Sequence, residues 1–156
     1  MVTVSVTIGL AFLGYLATYL NGLRLAQRQA RITRINLQLS DFYGPLFALM
    51  ESNTRTYEAT AVFIPNIRAM REVIVTKADL LVETEVPPVL LELCAHVSGY
   101  EVTAARWSAG HYDEHLSLIK FPGEELSRYT RERFALLKGE QTRLLGRGKS
   151  RSLRRA

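Results

Sequence analysis

The chain has 156 residues, 47% hydrophobic and 22% charged, with a formal net charge of +5. At this length one domain with a modest core is expected and no second domain is needed. The single cysteine, Cys94, excludes an intrachain disulfide and agrees with a reducing compartment.

A mean hydropathy of +0.01 is high for so charged a chain, which implies that apolar residues are concentrated somewhere. They lie at the front, because no charged side chain occurs from Met1 to Leu23. As a helix, Val2 to Leu23 would measure roughly 33 Å at about 1.5 Å per residue, enough to span a hydrocarbon core of about 30 Å. A cleaved secretory signal would carry a basic leading segment and a shorter apolar run closed by small residues. Here no basic side chain precedes Arg24, and no cleavage pattern follows Ala17. Residues 1–23 are therefore expected to be a retained transmembrane anchor.

Arg24, Arg28, Arg31 and Arg34 follow directly, and no acid appears before Asp41. Basic flanks stay on the cytoplasmic side, so a single pass with the N-terminus outside and the remainder in the cytoplasm is expected. No N-x-S/T glycosylation site is present. With so little chain ahead of the span, an external ligand site is not expected.

Charge then alternates along the chain. Arg24 to Ser40 carries +4; Asp41 to Glu125 has 6 basic and 13 acidic residues, or −7; Leu126 to Ala156 has 10 basic and 2 acidic, or +8. Contact with anionic lipid of the inner leaflet is expected from the neck residues Arg24, Arg28, Arg31 and Arg34. The tail residues Arg147, Lys149, Arg151, Arg154 and Arg155 would return to the same surface.

A seven-residue spacing runs from the apolar stretch into the neck. Val4, Ala11, Thr18, Leu25, Ile32, Leu39 and Leu46 form one line, and Thr7, Gly14, Asn21, Arg28, Ile35, Phe42 and Leu49 the other. The first part is small or weakly polar, as close helix packing in lipid requires, and Asn21 could add an interhelical hydrogen bond. The second part is Leu, Ile and Phe, which associate in water by burial. Ala11, Gly14, Thr18, Leu25, Ile32, Ile35, Leu39 and Phe42 are thus candidates for helix association, either between two chains or, for the later part, against the chain's own domain.

The basic juxtamembrane helix, residues 24–45, should kink or break at Pro45, which has no N–H and crowds the carbonyl of Asp41. Helical spacing resumes from Leu46 to Ile64 and stops at Pro65, and a shorter helix over 66–82 is weakened by the β-branched run Val73, Ile74, Val75 and Thr76. Pro87 and Pro88 suit the first turn of a helix reaching about Ser108. Its expected buried face is Val89, Leu93, Val97, Tyr100, Ala104 and Trp107, with a Gly110 loop after it. Pro122, Gly123, Glu124 and Glu125 open a last helix with acids where the macrodipole favours them, and Leu126, Tyr129, Phe134, Leu137 and Leu144 give it one apolar face. The fold class is all-α: one N-terminal transmembrane helix continuing into a cytoplasmic antiparallel bundle of three or four helices. That bundle occupies residues 46–145, and 146–156 is expected to be a disordered basic tail.

Chemistry-bearing patterns are sparse. His111 and His115 stand one helical turn apart and could share a metal, but further ligands would have to come from His96 or Cys94 on the preceding helix. Gly146 to Ser150 reads GRGKS, yet Arg143 stands where a phosphate-binding loop needs glycine and no helix of useful length can follow. The carboxylate pairs Asp113/Glu114 and Glu124/Glu125 are sequence neighbours, which diverge on a helix. No catalytic arrangement and no cofactor is expected. The tail has no aromatic residue for base stacking, so nucleic acid is not an expected partner.

The run INLQLSDFYGPLFALMES, following a lone N-terminal span and an arginine-rich neck, resembles a pattern found in uncharacterised bacterial single-pass membrane-anchored proteins. The resemblance covers the first third of the chain and implies a bacterial inner-membrane location; it carries no activity. The function expected is a membrane-tethered interaction module that self-associates or recruits a cytoplasmic partner through the neck around Leu39, Phe42, Tyr43 and Leu46. Two alternatives are a signalling subunit that reads the anchor through Pro45, and a membrane-bound metalloprotein using His111 and His115.

Overall fold

The structure, a computed structural model, describes the backbone of residues 2–55, 59–110 and 120–152, with side chains at 12–54, 61–110 and 120–146. Every regular element among them is helical. The order is α1 (Val2–Leu37), a π-helical segment (Gln38–Tyr43), α2 (Gly44–Arg55), a second π-helical segment (Ala59–Phe63), α3 (Ile64–Thr76), a 3-10 turn (Ala78–Leu80), α4 (Pro88–Ser108) and α5 (Gly123–Ser152). Among the described residues no helix is long and apolar enough to cross a membrane. The side chains of 1–11, nearly half of the charge-free stretch, lie outside that description.

Both π segments end just before a proline. Pro45 cannot donate an N–H, and its ring would collide with the carbonyl four residues back in a regular helix. The chain widens instead of breaking: Gly44 N–H bonds the Leu39 carbonyl, a five-residue spacing that takes up one extra residue. The close approach requires glycine, because a Cβ on Gly44 would collide with that carbonyl oxygen. Pro65 likewise follows a π segment and sits in the first turn of α3, so it does not end a helix as the sequence reading expects. α3 stops at Thr76, short of the expected 82, in the β-branched run that weakens it.

α1, the first π segment and α2 form one continuous helical rod lying against α5. Arg31 meets Glu140 and Phe47 stacks on Phe134 at 4.8 Å. The rod advances from 31 to 47 while α5 moves back only from 140 to 134, so the two run antiparallel and the rod swings across α5 at the π segment. α3 packs on α2 and α4 on α3, the latter pair tied by Arg68 and Arg71 to Glu101 at 3.3 and 3.1 Å.

One apolar core joins all five helices, with Phe42, Leu46, Ile67, Met70, Leu90, Leu93 and Leu126 fully buried. The buried face of α4 differs from expectation. Leu90, Leu93, Val97 and Thr103 are inside, whereas Trp107 is 53% exposed on the last turn, beyond the neighbours that cover Thr103. Thr103 and Thr130 are buried at little cost, since each hydroxyl donates to its own helix, to Gly99 and Leu126 carbonyls at 2.9 Å. Gly110, with φ of +84°, closes α4 in the left-handed conformation that glycine adopts freely.

α5 begins at the expected Pro122-Gly123 step and then overruns expectation. It continues to Ser152, through the first seven residues of the stretch 146–156 expected to be unstructured. Once Leu126, Leu137 and Leu144 are packed, each added residue needs only one further hydrogen bond, and basic residues favour a helix C-terminus. Arg154 and Arg155 lie outside the described residues.

Candidate functional site

α1 divides into two parts with different surroundings. From Phe12 to Gln27 every residue is exposed, including Phe12, Leu13, Tyr15, Leu16, Tyr19, Leu20, Leu23 and Leu25. Gly14 has open space around it, and Thr18 folds its hydroxyl back to the Gly14 carbonyl at 2.9 Å. Arg28 is the first residue to touch the bundle. Among the described residues, this is a helix that emerges from a folded body with a largely apolar surface left uncovered.

The association candidates therefore separate. Gly14, Thr18 and Leu25 are open, and Ala11 has no described side chain. Ile35, Leu39 and Phe42 are buried in the chain's own core and Ile32 is packed against it, so the lower seam is intramolecular. Tyr43 and Leu46 are also fully buried, which removes the neck around Leu39, Phe42, Tyr43 and Leu46 as a docking surface. Sequence periodicity records that a stripe is covered, not which chain covers it.

The neck arginines separate in the same way. Arg28 donates to the Leu144 carbonyl and Arg31 pairs with Glu140. Arg34 donates to the Asp79 carbonyl at 3.1 Å. Each of these three thus has a partner in the bundle, while Arg31 and Arg34 remain exposed. Arg24 is exposed and has no partner among the described residues.

Below them lies a polar clamp that the sequence does not signal. Gln38, buried, donates from Nε2 to the Leu80 carbonyl at 3.0 Å. The Tyr43 hydroxyl donates to Glu83 Oε2 at 3.0 Å and accepts the Val82 N–H at 3.1 Å. Tyr129 donates to Glu83 at 3.3 Å, and Arg133 Nε pairs with Glu83 Oε1 at 2.7 Å while its guanidinium lies over the Tyr129 ring. Burial pushes the Tyr43 hydroxyl above its ordinary pKa, and the Glu83 charge adds to it. Tyr129 is raised further, first by burial, then by Tyr43 and Glu83. Glu83 accepts from two phenols and one guanidinium, which take up three of the roughly four lone-pair sites of a carboxylate. The arrangement holds the irregular stretch after α3 onto the first π segment and α5.

At the opposite end, a cavity of about 640 Å³ opens between α2 and the start of α5, lined by Met50, Asn53, Phe63, Phe121, Ser127 and Arg131 among others. Arg131 pairs with Glu51 at its edge.

His111 and His115 lie outside the described residues. His96 sits 5.5 Å from the Phe121 ring, and Cys94 is half-buried with its thiol pushed up by that burial. Among the described residues no three His, Cys, Asp or Glu side chains converge as metal ligands. Comparison of the chain with protein-family models, curated proteins and solved structures finds no match to any of them.

Proposed function

We propose that this chain is a membrane-tethered helical module: α1 is its single anchor, with the N-terminus outside, and the α2–α5 bundle is held at the cytoplasmic face of a bacterial inner membrane. One observation carries the reading. Residues 12–27 form a helix exposed on all sides, and it belongs to a stretch with no charged side chain before Arg24. The charge-free part of that helix, Phe12 to Leu23, is largely apolar and favours apolar surroundings, and none of the described residues buries it. Arg24 at the point of emergence supports the orientation.

The activity proposed is recruitment. Among the described residues, self-association along the seam falls to residues 12–27, since the later seam is buried within one chain. Docking of a cytoplasmic protein falls to the outer faces of the bundle, where Leu91, Val102 and Trp107 of α4 are exposed. Fractionation of cells expressing the full chain tests the anchor. The protein should stay with the membrane after alkaline carbonate and leave it only with detergent; release by carbonate or high salt alone would overturn the proposal.

A further inference from the structure

We propose that the cavity between α2 and the start of α5 is a binding site for a small zwitterion with an aromatic side chain, an aromatic amino acid. No residue of the site belongs to α1, so the site stands or falls apart from the anchor.

The cavity holds about 640 Å³, within the range of about 300–1,000 Å³ of small-molecule sites, which combine apolar walls with a few placed polar groups. Its apolar side is Met50 from α2, Phe63 from the second π segment and Phe121 from just before α5. The two rings meet edge to face at 4.9 Å, and His96 of α4 lies 5.5 Å from Phe121. Gly123 allows that placement, because a Cβ there would stand 3.0 Å from the Phe121 ring. This wall is therefore set by packing within the bundle, and a third ring beside it would extend the aromatic cluster.

The polar side is α5. Glu124, Arg128 and Glu132 all line the cavity, four residues apart, which is about 6 Å of helix from each to the next. Arg131 lines it too, but its guanidinium is taken by Glu51. Arg128 has no ion-pair partner among the described residues, and neither glutamate has one. A carboxylate bound by Arg128 thus has an acid one turn away on either side, where an ammonium on the same ligand finds its counter-charge. A ligand with one sign of charge meets attraction and repulsion together; one with both signs satisfies both. The α2 wall adds Asn53, whose Oδ1 accepts from Asn66 Nδ2 at 2.8 Å and whose own Nδ2 is buried without an acceptor. Buried amides are nearly always matched, and an unmatched one in a cavity wall is the kind of group that a ligand oxygen completes.

The test is calorimetric titration of the detergent-solubilised full chain, against a detergent-only blank, with three probes: L-phenylalanine, phenylalaninamide, which lacks the carboxylate, and 3-phenylpropionate, which lacks the ammonium. L-Phenylalanine should bind about fivefold or more tighter than either analogue, since each loses one charge-assisted contact. Ser127→Trp, which fills the cavity from its α5 wall, should abolish binding. Arg128→Gln should bring L-phenylalanine down to the affinity of phenylalaninamide and should not weaken phenylalaninamide itself. Unchanged thermal midpoints show that both variants are folded. No binding of L-phenylalanine at about 10 mM, an analogue that binds as tightly, or undiminished binding in either variant would overturn the proposal. None of these measurements involves insertion into a membrane, so any such result leaves the anchor standing.

Discussion

The hydroxyl of Tyr43 donates to Glu83 at 3.0 Å and accepts the backbone N–H of Val82 at 3.1 Å, so one side chain in the first π segment holds the stretch between α3 and α4. Replacing it with phenylalanine keeps the ring in the core and removes both bonds. Tyr43→Phe should lower stability by about 1–3 kcal/mol, the cost of leaving partly buried polar groups unsatisfied. Urea unfolding of the detergent-solubilised chain measures it, and an unchanged midpoint would show that the clamp is energetically idle.

Tyr43 and Tyr129 also make stability depend on alkaline pH. Both have pKa values raised above the ordinary 10.0, chiefly by burial. The folded state therefore holds protons that the unfolded state releases above about pH 10, and stability must fall with rising pH there. Below that value the contribution is fully present. The slope should approach about 1.4 kcal/mol per pH unit for each tyrosine kept protonated. It should shrink in the Tyr43→Phe/Tyr129→Phe variant when compared by thermal melts between neutral and strongly alkaline pH.

Glycine to alanine should act with opposite signs at two helical positions. Gly139, with nothing within 4 Å of an added Cβ, should gain about 0.5–1 kcal/mol from the better helix propensity of alanine. At Gly44 the added Cβ meets the Leu39 carbonyl oxygen, so Gly44→Ala should lose about 2 kcal/mol or more. Denaturation midpoints of the two variants decide it; equal effects would mean that the π segment is not required.

Single cysteines in a Cys94→Ser background should distinguish the two parts of the heptad seam. Leu25 is 61% exposed and Ile35 3%. If chains associate through the anchor, Leu25→Cys should crosslink in native membranes and Ile35→Cys should not. Efficient crosslinking at position 35 would contradict the intramolecular packing of the neck.

Two charges in the exposed apolar helix should prevent stable insertion. Each arginine near the centre of a span costs about 2.5–3.5 kcal/mol on insertion scales, so Leu13→Arg/Leu16→Arg should move the chain into the carbonate-released fraction. Retention in the membrane would require another attachment than α1.

Features set by a residue's own backbone or by one solvent were legible without the fold. The first turns at Pro88 and Gly123, the irregularity near Pro45 and the charge-free front belong to this class, because a missing N–H, an acid in a first turn or an uninterrupted run without charge acts locally. Periodicity also identified Leu93, Val97, Leu126, Leu137 and Leu144 as facing inward.

The tertiary structure alone decided what covers each surface. Trp107 is outside while Thr103 and Thr130 are inside, because burial depends on which helix lies opposite and on a hydroxyl finding its own carbonyl. Nor can composition divide Arg24 from Arg28, Arg31 and Arg34; only the antiparallel approach of α5 brings the Leu144 carbonyl and Glu140 to the latter group. A guanidinium can bond a lipid phosphate, a carboxylate or a carbonyl, and distance in three dimensions decides which of them it meets.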